Sequence, residues 1–305
     1  GHRLADDDAR FLTVCFADAG YQTASFGKHH YNNRREAFDV QFDRILDQKV
    51  HYFHYDVPVD PDAVGLVRYP DEGDARFPWI FAGRFPGTLE ETAEAMNVAD
   101  AIHWLRQRDP DRPFLLRVSH NAPHTPVVAP EPFDAMIDPD DVDIPVDPGG
   151  ALADLPEAHR ACLMRLAGAS RLTGDQLRRA AQCYYGRVAM VDTLTERLLD
   201  ALDAEGLSDS TIVVFMSDHG THLGDHGVMQ KQSFFEESAR VPWVMAGPDV
   251  ARAAVIDRPV STGSLLPTLM AQCGVDVPDD ADFAPLSEHV ASGNEPDDAS
   301  IISEI

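Results

Sequence analysis

TIVVFMSDHGTHLGDHGVMQK, residues 211–231, is an apolar run that breaks off into a polar, glycine-punctuated loop. The unbroken run at 211–216 reads as a strand buried on both faces of a mainly parallel sheet. Its end delivers Asp218 and His219 side by side. A carboxylate next to an imidazole at a strand end is half of a divalent-cation site, and Lys231 is placed to hold an anion that such a cation also binds. The competing reading is that Asp218 caps the next turn and the loop histidines are surface residues; His222 and His226 are read as supporting or structural.

Two other strands end in the same way. Residues 23–26 run into Gly27-Lys28-His29-His30, where glycine permits close backbone approach, lysine supplies a compact positive charge and His30 is positioned for proton transfer. Residues 113–119 stop at His120-Asn121-Ala122-Pro123-His124-Thr125-Pro126, whose prolines preclude further regular structure and fix His124 on a turn. Taken alone, Lys28 reads as a solvated lysine and His124 as a surface histidine. Helical patterns at 6–19, 89–108, 174–205 and 263–273, with a further strand at 241–246, alternate with these strands. In the long helix, Val188, Val191, Leu194, Leu198 and Leu202 mark the apolar stripe. The order implies an α/β sandwich, a mainly parallel mixed sheet between helical layers, with its site at the carboxyl edge of the strands. Segments 31–88 and 127–172, rich in Asp and Pro and poor in periodicity, read as surface insertions that wall a pocket.

Of 305 residues, 44% are hydrophobic and 25% charged, a globular composition. The balance of 25 basic to 51 acidic residues, net charge −26, argues against nucleic-acid or anionic-lipid partners. No apolar run approaches the roughly 20 residues of a membrane span. Cys15, Cys162, Cys183 and Cys273 have neither metal-site spacing nor a disulfide-framework pattern and read as buried thiols. With the acidic surface, they favour a cytoplasmic setting. The lysines are Lys28, Lys49 and Lys231, so two of three fall within the motifs above.

In this order and with these gaps, Gly20-Tyr21-Gln22-Thr23-Ala24 through Lys28 and His30, Ala122 through Pro126, Thr211 through Lys231, and Phe235 through Pro242 resemble the sulfatase family of the alkaline phosphatase superfamily. The resemblance implies an alkaline-phosphatase-like sandwich. It assigns Asp218 and His219 as metal ligands, Lys28 and Lys231 to the sulfate oxygens, His124 to the ester oxygen as general acid, and His30 to the nucleophile. It further implies a divalent cation, Ca2+ or alternatively Mn2+, a formylglycine nucleophile, a maturation enzyme that generates it, and a small-molecule or saccharide sulfate ester as substrate. A phosphonate or phosphate mono- or diester hydrolase and a non-catalytic sulfatase-like module are the alternatives. Two departures stand out. His29 replaces the usual tryptophan, and the family's paired aspartates and C/S-x-P-x-R motif belong upstream of Gly1. Residues 1–305 are accordingly expected to form one catalytic domain truncated at both ends and inactive alone.

Overall fold

The computed structural model describes residues 12–29, 38–42, 44, 67–68, 80–143, 150, 152–167, 172–231, 233–297 and 301. Its strands are β1 (Gln22–Gly27), β2 (Val40–Phe42), β3 (Val67–Arg68), β4 (Ile80–Phe85), β5 (Phe114–Ser119), β6 (Val127–Pro130), β7 (Val213–Met216), β8 (His222–Leu223), β9 (Met229–Gln230) and β10 (Trp243–Ala246). The helices are α1 (Leu12–Asp18), α2 (Ala93–Gln107), α3 (Glu157–Ala167), α4 (Gly174–Ala204), α5 (Glu236–Ala239), α6 (Leu265–Gln272) and α7 (Ser287–Ser292). This is a mixed α/β fold, as the strand-helix alternation implies.

β1 lies between β2 and β5 and is parallel to both, so the chain ends of β1 and β5 point the same way. Every residue of β1 is buried, and Ala24 and Phe26 pack with Ala101 of α2. Gly27 ends the strand at φ +94°, a left-handed conformation that favours glycine. A Cβ there would fall 2.0 Å from the Ser119 carbonyl oxygen, which accepts from the Lys28 amide at 2.8 Å. The glycine therefore lets the Lys28 backbone lie against the end of β5.

Helix α2 starts at Thr92, whose hydroxyl accepts from the Ala95 amide, and α4 starts with the reciprocal Thr173–Gln176 capping box. They bury a shared core of Ala95, Val98, Met190, Val191 and Leu194 against Ala122, Ala129 and Phe133. The stripe of α4 runs through Cys183, Arg187, Met190, Val191 and Leu194; Val188 is 44% exposed and lies off it. The buried stripe thus includes an arginine, Arg187, that the apolar pattern does not mark, and excludes Val188, which it does.

Two local readings need correction. Residues 127–130 do not belong to a surface insertion. They form β6, parallel to β4, with Val127, Val128 and Ala129 buried, because this short apolar run completes the sheet beneath α4. Nor is the 211–216 run buried on both faces. Within it, β7 pairs antiparallel with β10, and Phe215 (43% exposed) stands opposite Val244 (59% exposed). Within 31–88, β2, β3 and β4 are described, while 31–37, 43, 45–66 and 69–79 lie outside the described residues. Among the described residues no helix is long and apolar enough to cross a membrane. Cys183 and Cys273 are free thiols; Cys183 is buried, whereas Cys273 and Cys15 are only partly so.

Candidate active site

The carboxyl ends of β1, β5 and β7 converge, and the β8–β9 hairpin brings a fourth chain segment to them. Lys28, one residue beyond β1, donates from Nζ to Asp218 Oδ2 at 2.9 Å, across 190 residues of sequence. His219 Nδ1 donates to the Gly220 carbonyl at 2.8 Å, which leaves the lone pair on Nε2. Lys231, directly after β9, donates to that Nε2 at 2.6 Å. The His124 ring lies 6.1 Å from the His219 ring, centroid to centroid, and its Nδ1 donates to the Thr125 carbonyl at 2.6 Å. Lys28, His124, Asp218, His219 and Lys231 are thus brought together. His30 lies outside the described residues.

The electrostatics of the cluster are those of cations crowded with few anions. Burial pushes the Lys231 ammonium below its usual range, Lys28 adds to this, and Asp218 opposes it. Burial raises Asp218, but its bond from Lys28 and the charges of His219, Lys28 and Lys231 outweigh that, so the carboxyl is held below its ordinary value. His124 is lowered to about 4, chiefly by burial and further by Lys231, Lys28 and His219, against the pull of its bond to Thr125. His219 is also lowered, first by burial. An anion bound between the two ammonium groups would relieve their mutual repulsion.

The donor chemistry fits a divalent cation. Asp218 Oδ1 and His219 Nε2 lie 3.7 Å apart, a spacing that two ligands of one ion adopt at calcium-like bond lengths of about 2.3–2.6 Å. The Gly220 carbonyl supplies the outer bond that fixes a ligating imidazole. Among the described residues no group of three or more His, Cys, Asp or Glu side chains is placed to hold a metal. Asp218 and His219 could therefore supply at most part of a ligand set.

Other residues hold this arrangement in place. Gly220 donates its amide to the Ser238 carbonyl, and a Cβ on it would fall 2.2 Å from the Glu237 carbonyl oxygen, so the Asp-His-Gly turn seats against α5 only with glycine. His222 is fully buried and bonds through Nε2 to Ser233 Oγ at 2.7 Å. His226 stacks on Phe235 at 4.1 Å and lies 3.3 Å from Glu237 Oε2. Both histidines thus make contacts within the segment that flanks Lys231, His222 with Ser233 and His226 with Phe235 and Glu237. His29 is buried, with Nε2 2.9 Å from Ser25 Oγ and its ring edge-on to Phe38. Arg117, not singled out from the sequence, donates to the Lys28 carbonyl at 3.1 Å and to Ser25 Oγ at 3.2 Å. Alternate positions 115 and 117 in an apolar strand gave no hint of it.

A family model described as Sulfatase matches residues 7–275. The chain belongs to the sulfatase family. It is 30% identical over 215 residues to an arylsulfatase of Clostridium perfringens, covering 68% of this chain and 44% of that protein. A choline-sulfatase of Rhizobium meliloti is 28% identical over 275 residues, 85% of this chain and 51% of the relative. This sulfatase chain therefore spans about half the length of the curated relatives it matches. In fold it is similar to a phosphonate monoester hydrolase from Silicibacter pomeroyi, with TM-score 0.74 and 20% identity over 96% of this chain and 63% of the other. The alkaline-phosphatase-like architecture implied by the motifs is thereby shown.

Proposed function

We propose that the whole protein hydrolyses sulfate esters, small-molecule or saccharide, by metal-assisted attack of a formylglycine nucleophile carried outside this chain. The observation that carries the reading is the convergence of Lys28, His124, Asp218, His219 and Lys231 beyond the ends of β1, β5, β7 and β9. Asp218 and His219 would hold part of the coordination of a divalent cation, Ca2+ or Mn2+, which would supply Lewis-acid charge when bound. Lys28 and Lys231 neutralise the equatorial oxygens of the sulfuryl group as the bond to the ester oxygen breaks. His124, its Nδ1 proton committed to Thr125, takes a second proton on Nε2 for the departing oxygen once an anion between Lys28 and Lys231 offsets the cationic charges that help hold the ring at about 4. His30 orients the nucleophile. Maturation by a formylglycine-generating enzyme belongs to this reading.

The test is full-length protein, co-expressed with that enzyme and assayed on an aryl sulfate beside an aryl phosphate diester with calcium or manganese. Aryl sulfate turnover is expected. Lys231→Ala is expected to lower its kcat by about 10²–10³, the scale for loss of one charge-stabilising donor. Preferential diester turnover would replace the reading with a phosphohydrolase, and a Lys231→Ala variant as active as the parent would remove Lys231 from the chemistry.

A further inference from the structure

We propose that Glu94 and Arg187 are positioning residues for His124, an inference that rests on the hydrolase reading above. Their side chains are 4% and 1% exposed, and Arg187 Nη2 donates to Glu94 Oε1 at 2.7 Å. Neither residue touches Lys28, Asp218, His219 or Lys231 through any contact described above. Each extends instead to the turn that bears His124. Glu94 Oε1 accepts from the Ala122 amide at 3.1 Å, and Arg187 Nη1 donates to the Pro126 carbonyl at 2.9 Å. One ion pair therefore grips the first and last residues of Ala122–Pro126, with His124 in the middle.

The turn lies outside regular strand pairing, so its inward amide and carbonyl need partners from elsewhere. An ion pair is a poor choice for stability alone, since well-packed apolar replacements of buried pairs are often neutral or stabilising. Arg187 also occupies the apolar stripe of α4. What the pair adds is direction: a fork from α4 and a carboxylate from α2 fix both ends of the turn to two rigid helices. His124 itself bonds within the turn, from its amide to Asn121 and from Nδ1 to Thr125, so the turn and its ring move as one unit.

The experiment compares Glu94→Gln, Arg187→Lys and the paired Glu94→Leu/Arg187→Met variant in the full-length protein. The paired change removes both charges together, and Glu94→Gln keeps an acceptor for Ala122 should the paired variant fail to fold. Rates are read on aryl sulfates with good and poor leaving groups, alone and combined with His124→Ala. The paired variant is expected to lose about 10²-fold in kcat on the poor leaving group, the scale of a misplacement of about 1 Å, and far less on the good one. Glu94→Gln is expected to retain most activity, and His124→Ala to mask the loss in every background. An equal loss on both leaving groups, or one that multiplies with that of His124→Ala, would overturn the proposal. A crystal structure of the paired or the Arg187→Lys variant decides independently of turnover: His124 displaced within an otherwise unchanged fold supports the proposal, and His124 in place defeats it. Inactivity of the unmutated protein on every ester would count against the hydrolase reading alone.

Discussion

His120 sits at the end of β5 with its Nδ1 out of solvent and without a hydrogen-bond partner, although the residue as a whole is half-buried. Burial, helped by Arg187, lowers it from 6.5 to about 4. Because its folded value is depressed, the unfolded chain takes up the proton first as pH falls. Stability is therefore unaffected above pH 6.5 and is lost from there down to about 4, at about 1.4 kcal/mol per pH unit. His120→Leu is expected to flatten the acid side of the stability profile by that slope, read from urea midpoints across this range; parallel profiles for variant and parent would refute the assignment. At this scale the sequence was legible where chemistry collects at strand ends. Lys28, His124, Asp218, His219 and Lys231 each follow directly on a strand or its turn, a local pattern. Glu94 and Arg187 pair across 93 residues and carry no local signature, and a charged residue in a helical stripe reads as an interruption of it.

The boundaries of α2, α4, β1 and β5 follow their caps and apolar periods closely, since these signals are local. β6 was missed because its Val-Val-Ala-Pro run is short and followed by prolines and acids. β7 was misjudged because an apolar run does not reveal whether its partner runs parallel or antiparallel. Gly186 gives an element-level prediction. Alanine there would add about 1 kcal/mol of helix propensity to α4, but its Cβ would fall 2.0 Å from the Phe133 carbonyl oxygen, a backbone atom. Overpacking of this kind costs about 1–3 kcal/mol. Gly186→Ala is thus expected to lower the urea midpoint, and a rise would mean that the Phe133 turn yields easily.

Across the whole molecule, a net charge of −26 makes the surface repel itself. Raising salt from 0.1 M to 1 M shortens the screening length from about 10 Å to about 3 Å. The thermal midpoint is expected to climb with potassium chloride, while the buried Glu94–Arg187 pair is little affected; a midpoint that falls with salt would indicate that exposed ion pairs outweigh the repulsion.

The bond between Lys28 and Asp218 has a consequence in time as well as in space. The two residues are 190 positions apart. At ribosomal rates of about 5–20 residues per second, Lys28 is made roughly 10–40 s before its carboxylate exists. For about the second half of that interval the nascent chain can pair β1 with β5 but carries an ammonium with no counter-charge from β7. A water-loving lysine at that strand end tolerates the wait, whereas an apolar group would present a sticky surface to every neighbouring chain.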